Sequence, residues 1–179
     1  LMHRMGFISR TRSSKAHSMT ASSPDMPIAG RFVGREHRFP VRVYFEDTDF
    51  SGVVYHANYL RFMERARSDM LRVAGIDQRD AFANGEGVYA VADLTIRYRR
   101  PARFDDALVI ASTVEQLRAA ACVIQQRVML GDELMADAKV TAAFITPDGR
   151  PRRQPPAWMN AFQRLLPESP DMIEESKSI

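Results

Sequence analysis

Two acids, a histidine and the start of a long helix fall within one stretch, residues 43–74: VYFEDTDFSGVVYHANYLRFMERARSDMLRVA. A strand-like run ends in Asp47 and Asp49. A glycine turn follows at Ser51-Gly52, and the apolar residues Val53, Val54 and Tyr55 lead to His56 and a helical pattern. The first turn of a helix leaves backbone N–H groups unpaired, with partial positive charge. Such groups can hold a carbonyl oxygen while it becomes an oxyanion. A carboxylate on the loop just ahead can attack a carbonyl or activate a water. Together these are the parts that hydrolysis of an activated acyl group requires.

Each residue has a plainer reading beside the chemical one. Aspartate is common in tight turns and before helices, so Asp49 alone could be a turn or capping residue. With His56 and the Asn58-Tyr59 helix start in register, it is read as the catalytic carboxylate. Asp47 is read as its support, bonding backbone within the loop. The His56 ring could orient water or protonate a leaving group, or the residue could act only through its peptide N–H. Tyr55 and Tyr59 could pack or could line an acyl pocket. Glu64, further along the helix, could reach the site or stay solvated. Arg97, Arg99 and Arg100 could be a solvated strand face or a phosphate-binding one. Asp47, Asp49 and His56 lack metal-ligand spacing, and no metal is expected.

The elements that must position these groups are legible from periodicity. Phe39, Val41, Val43 and Phe45 alternate with polar neighbours, as in a half-buried strand. The helix runs from about Ala57 to Ala74 and stops at Gly75. Its apolar stripe is Leu60, Met63, Ala66, Met70 and Val73, with Asp69 and the arginines largely elsewhere. Four strands follow. Val88 to Tyr98 carries Val88, Ala90, Ala92, Leu94, Ile96 and Tyr98 in one phase. Leu108 to Glu115 is next, then Cys122 to Leu130, a turn at Gly131-Asp132, and a last strand with Leu134, Ala136, Ala138, Val140, Ala142 and Phe144 on one side. A short helix from Pro156 to about Leu166 closes the fold. One strand, one long helix and four strands able to pair as a meander give an α+β domain. The expectation is a hotdog: a five-stranded antiparallel sheet wrapped around the helix, pairing edge to edge into a dimer or higher oligomer.

Length and composition bound the rest. The chain has 179 residues, 45% of them hydrophobic, enough for one domain with a real core. Net charge is +3, but the excess is uneven. Residues 1–24 hold Arg4, Arg10, Arg12 and Lys15 and no acid, while Glu168, Asp171, Glu174 and Glu175 follow Pro167. The middle is near balance, so nucleic acid is not an expected partner. Residues 1–30 are read as a disordered leader, 31–166 as the domain, and 167–179 as a flexible acidic tail. The single cysteine, Cys122, lies in an apolar strand phase and is read as core; it fits a reducing, cytoplasmic setting. No apolar run approaches the roughly 20 residues of a membrane span.

The motif FEDTDFSGVVYHANYLRFMERAR, residues 45–67, closely resembles the signature of the YbgC-type and 4-hydroxybenzoyl-CoA-type thioesterases of the hotdog superfamily. The likeness extends through the Arg-Tyr-Arg-Arg-Pro and Phe-Asp-Asp stretches and covers roughly residues 37–147. The resemblance implies that Asp49 is the catalytic carboxylate and that the His56 N–H polarises the thioester carbonyl. It implies an acyl-CoA or acyl carrier protein thioester as substrate, with coenzyme A entering as part of that substrate and no other cofactor. Tyr55, Asn58, Tyr59, Arg97, Arg99 and Arg118 are the expected substrate-binding residues, Asp47 and Glu64 the supporting ones. Arg118 is the one basic residue in the turn 117–121, where some relatives bind CoA phosphates. A homodimer or homotetramer with its site between subunits is also implied. Two other readings remain open on sequence: an interaction protein linked to the Tol–Pal system or to lipid synthesis, and a hotdog acyl-thioester hydratase or dehydratase.

Overall fold

The helical spacing that begins at His56 becomes α1, His56–Val73, about 27 Å long, and a single sheet curls over its apolar side. The computed structural model describes residues 27–167. The strands are β1 (Arg31–Val33), β2 (Glu36–Arg42), β3 (Val88–Tyr98), β4 (Ala107–Arg118), β5 (Ala121–Leu130) and β6 (Glu133–Ile145), with short helices α2 (Gln78–Ala83) and α3 (Pro156–Gln163). They form one six-stranded sheet in the order β1-β2-β4-β5-β6-β3, antiparallel throughout. The expected α+β hotdog is present. A short sixth strand, β1, hairpins onto β2 beyond the five expected.

The meander is shorter than expected. β4, β5 and β6 are sequential neighbours, but β3 pairs with β6 at the far edge and not with β4. The segment between β3 and β4 explains this, because it is used to brace the loop ahead of α1. Ala102 O accepts from Val54 N at 2.8 Å, and Val53 bridges Arg103. β4 then starts beside β2, with Ala107 opposite Arg42.

Alternation predicts β6 well: Ala136, Ala138, Val140, Ala142 and Phe144 are all buried. It fails along β3, where a bulge between Val91 and Asp93 shifts the register and the edge position leaves Val91 and Tyr98 about half exposed. It fails also at Phe45, expected inside. β2 ends at Arg42, and a 3-10 turn over Phe45–Asp47 rotates Phe45 outward to 81% exposure. On α1 the buried face is Tyr59, Phe62, Met63, Ala66, Asp69, Met70 and Leu71, while Val73 is exposed.

Two apolar clusters result. One holds Val43, Val54, Tyr59, Phe62, Met63 and Leu108 and supports the acid loop. The other, under α3, holds Met70, Ile124, Phe144, Trp158 and Phe162. Cys122 lies in the second, its thiol pushed up to about 12 by burial, as a core residue requires. One polar residue interrupts the β5 phase: Gln126 is fully buried. It donates to Met63 O and Ser112 Oγ, and it accepts from Arg67.

The expected leader, for residues 1–26, and the expected tail, for 168–179, lie outside the described residues. At Gly30 the chain is already fastened. The Gly30 N–H donates to Asp69 Oδ2 at 2.8 Å, and a Cβ there would lie 2.6 Å from His37 Nε2. Asp69, expected on the polar side of α1, is buried because it also meets His37 Nε2 at 2.9 Å and Arg72 Nη1 at 3.1 Å.

Candidate active site

The acid loop closes on itself before α1 begins. Asp49 N donates to Val53 O at 2.9 Å and Gly52 N to Asp49 O at 3.0 Å, a tight turn that needs the positive φ of Gly52 (76°). Asp47 is buried, and its Oδ2 accepts from Tyr44 N at 2.8 Å. Its carbonyl accepts from Tyr55 N and from the Asn58 side chain, both at 2.9 Å. Asp47 and Asn58 thus lock the loop to the helix start. Asn58, expected to bind substrate, is buried and occupied in this lock, so it acts on the loop and not at the surface of the site.

Asp49 itself is exposed. Its Oδ1 accepts from Ser51 Oγ at 2.5 Å and from Ser51 N at 2.8 Å. Those two bonds, with the side-chain bond the stronger cause, hold its carboxyl below the usual value, and the nearby His56 adds to the effect. The Val53 N–H also draws on the carboxyl and lowers it further, more weakly than Ser51. The carboxylate is therefore ionised, exposed, and oriented by the Ser51 bonds to Oδ1.

His56 is the first residue of α1. Its N–H meets no backbone acceptor among the described residues, and the N-cap residue, Tyr55, makes no side-chain cap bond. Asp49, Tyr55, His56, Tyr59, Tyr98, Arg99 and Arg100 line one groove of about 360 Å³. An ionised carboxylate and a helix-first residue with an unbonded N–H thus line the same groove. That pairing suits attack on a carbonyl whose oxygen needs a donor.

Three expected site residues are elsewhere. Glu64 accepts from Ser68 Oγ at 2.7 Å and lines a separate groove of about 420 Å³ between α1 and β3, with Arg67, Tyr89 and Val91. The helix carries it too far from His56, about 12 Å along the axis. Arg97 is exposed on β3 and outside the Asp49 groove, because alternation turns it away from its neighbour Tyr98. Arg118 ends β4, about 36 Å of strand from Ala107 and the acid loop, and bonds Gln116. Arg99 and Arg100 do line the groove, paired with Asp137 at 2.7 Å and Glu133 at 3.1 Å.

Sequence reading missed Tyr98, which it placed in the buried phase of β3. Its hydroxyl donates to His56 O at 3.0 Å, and its ring meets Tyr59 edge-on at 5.5 Å. The signal was present in Arg-Tyr-Arg-Arg-Pro, where a tyrosine ends a strand one turn before a proline. No group of three or more His, Cys, Asp or Glu among the described residues could hold a metal ion. No helix among them is long and apolar enough to cross a membrane.

The same layout recurs in known proteins. The thioesterase-like superfamily matches residues 43–172. Acyl-CoA thioester hydrolase YbgC of Escherichia coli is 38% identical over 129 residues, covering 71% of this chain and 96% of that protein. Acyl-CoA thioesterase YbgC of Haemophilus influenzae is 39% identical over 107 residues, covering 60% of this chain and 79% of that one. Among solved structures, a probable thioesterase from Bartonella henselae superposes with a TM-score of 0.63 at 40% identity, over 67% of this chain and 99% of that chain. A 1,4-dihydroxy-2-naphthoyl-CoA thioesterase from Synechocystis reaches a TM-score of 0.67 at 22% identity, over 72% and 96% of the two chains, and speaks to the fold alone. The family match takes in the acid loop, the long helix and strands β3 to β6, and the identity runs through almost the whole of a YbgC protein; the chain belongs to the thioesterase-like superfamily, as a hotdog-fold thioesterase of YbgC type.

Proposed function

We infer that the protein hydrolyses acyl-CoA thioesters at the Asp49 groove. The observation that carries this reading is that the exposed, ionised Asp49 carboxylate and His56, whose N–H meets no backbone acceptor among the described residues, line one groove. Asp49 supplies the attacking oxygen, directly or from a water it deprotonates, and the His56 N–H holds the carbonyl oxygen as charge develops. The carbon–sulfur bond breaks, the thiolate leaves as coenzyme A, and a water's oxygen ends in the free acid. Arg99 and Arg100 give the groove a cationic rim for CoA phosphates. Of their carboxylate partners Glu133 is exposed and Asp137 partly buried, and the exposed Arg100–Glu133 pair exchanges at little cost. Thiol release measured across a panel of acyl-CoAs tests the reading; silence across short, long and aromatic acyl groups would sink it.

The assembly is part of the same reading. β3 is an eleven-residue edge strand with unpaired main-chain groups and half-exposed Val91 and Tyr98, and an isologous antiparallel pair with a second copy would satisfy them. The Asp49 groove lies at the Tyr98 end of β3, and the Glu64 groove at the Val88 end. Pairing about the strand centre brings the first groove of one copy beside the second groove of the other, which returns Glu64 to the site from the second copy. Sedimentation at micromolar concentration showing monomer alone would count against this assembly.

A further inference from the structure

We propose that Tyr98 is a positioning residue for the start of α1: by donating to the His56 carbonyl, its hydroxyl holds the His56–Ala57 peptide and so steadies the first turn, whose leading residue, His56, lines the groove. The proposal rests on the thioesterase reading and extends it to a residue outside the acid loop and helix.

The reason lies in how this helix starts. A helix end is ordinarily held by an N-cap side chain that accepts from the N–H groups of the first turn. Here the N-cap residue, Tyr55, makes no such bond. The first turn is held instead by bonds to the acid loop and by one bond within the turn. Tyr55 N donates to Asp47 O, Asn58 N to Tyr55 O, and the Asn58 side chain to Asp47 O, all within 2.9 Å. These bonds fix the residues flanking His56. The bond on the carbonyl of His56 from outside the helix is Tyr98 Oη at 3.0 Å. It pins the turn by an acceptor and leaves the donor free.

The tyrosine is itself well placed to hold still. It ends β3, its ring packs edge-on against Tyr59 at 5.5 Å, and Tyr59 Oη in turn accepts from Ala102 N at 2.9 Å. Burial raises its hydroxyl above the ordinary value, so it stays protonated and a donor at neutral pH. The hydroxyl thus ties the sheet edge to the helix start across the groove.

The test is Tyr98→Phe in the full-length protein, which removes one oxygen and keeps the ring. The expected result is a fall in kcat of about 3- to 10-fold with KM within twofold and an unchanged melting temperature. Amide hydrogen exchange at Asn58, whose N–H is held by Tyr55 O in that first turn, should quicken several-fold in the variant, and this readout does not depend on turnover. Unchanged exchange overturns the proposal even if no acyl-CoA is ever hydrolysed. In an active enzyme, an unchanged kcat, or a raised KM at constant kcat, overturns it too, since the hydroxyl would then touch bound substrate equally in ground and transition states. A melting temperature that drops in step with kcat would make the bond merely structural and also overturn it. Absence of thiol release from the wild type, with exchange quickened as expected, would instead indict the thioesterase reading alone.

Discussion

The two ends of α1 each bring an aspartate and a histidine together, and the two pairs have opposite fates. At the N-terminal end Asp49 and His56 are exposed, the carboxylate is held only by bonds within its own short turn, and the helix N–H meets no backbone acceptor among the described residues. Toward the C-terminal end Asp69 and His37 are sealed, and Asp69 is shared among an imidazole, the Gly30 amide and an arginine. The same residue types make a reaction centre in one place and a rivet in the other. What separates them is unspent hydrogen-bonding capacity and access to solvent.

The comparison can be broken most sharply at Asp49. Asp49→Asn keeps the shape and most hydrogen bonds but can neither attack nor take a proton, so turnover should fall about 10²–10⁴-fold. The melting temperature should hold. Asp69→Ala should do the reverse: breaking a buried ionic cluster costs about 3 kcal/mol, and the melting temperature should drop by roughly 10 °C while thiol release at low temperature persists. If Asp69→Ala abolished turnover in a folded protein, the two ends would not be functionally distinct.

A finer cut comes at the histidine and the second acid. His56→Ala removes the ring and leaves the peptide N–H, so a loss of about 10-fold is expected, well short of Asp49→Asn. Asp47→Asn should cost less still, because an amide oxygen can accept from Tyr44 N as the carboxylate does. Steady-state kinetics on the three variants gives the ordering, and a dead Asp47→Asn beside an active Asp49→Asn would invert the assignment.

Proton linkage separates the ends by sign. Ser51 holds the Asp49 carboxyl low, so activity should fall only as pH drops through that lowered value. Ser51→Ala removes the hydroxyl donor, destabilises the anion and should move the acid limb of the pH–rate profile upward. His37 behaves oppositely. Burial lowers it from the ordinary 6.5, against the pull of Asp69. The unfolded chain therefore binds a proton that the native state refuses. The associated stability is present above about pH 6.5 and is lost as pH falls toward the lowered value. Calorimetry from pH 7.5 to 5 should show a small decline that His37→Gln flattens.

The sequence made the acid loop legible because turn chemistry and helix onset are local. Gly52, Ser51 and the 43–74 pattern needed nothing from the rest of the chain. Periodicity carried β6 for a similar reason, since a central strand with one covered face alternates cleanly. Misreadings arose where distant contacts decide. Asp69 looked solvated because its partners, Gly30 and His37, are some thirty to forty residues away. Asn58 looked like a ligand because its bond to Asp47 O crosses the loop. β3 was placed beside β4 because the bracing role of Ala102 is invisible without the fold. Tyr98 hid in an apolar phase that a bulge had already shifted.

Gly30 carries a consequence for how the chain tolerates change. Any side chain there would begin 2.6 Å from both the Arg38 carbonyl and the His37 ring, so the β1–β2 hairpin or the imidazole would have to move. Replacement by alanine disturbs the anchoring of Asp69 without touching a residue of the groove. Trimming to residue 26 spares the amide that anchors Asp69, whereas trimming through residue 30 deletes it. A position remote from the chemistry is thereby among the least substitutable in the molecule, whereas the exposed ring of Phe50, next door to the reacting carboxylate, is among the most replaceable on packing grounds.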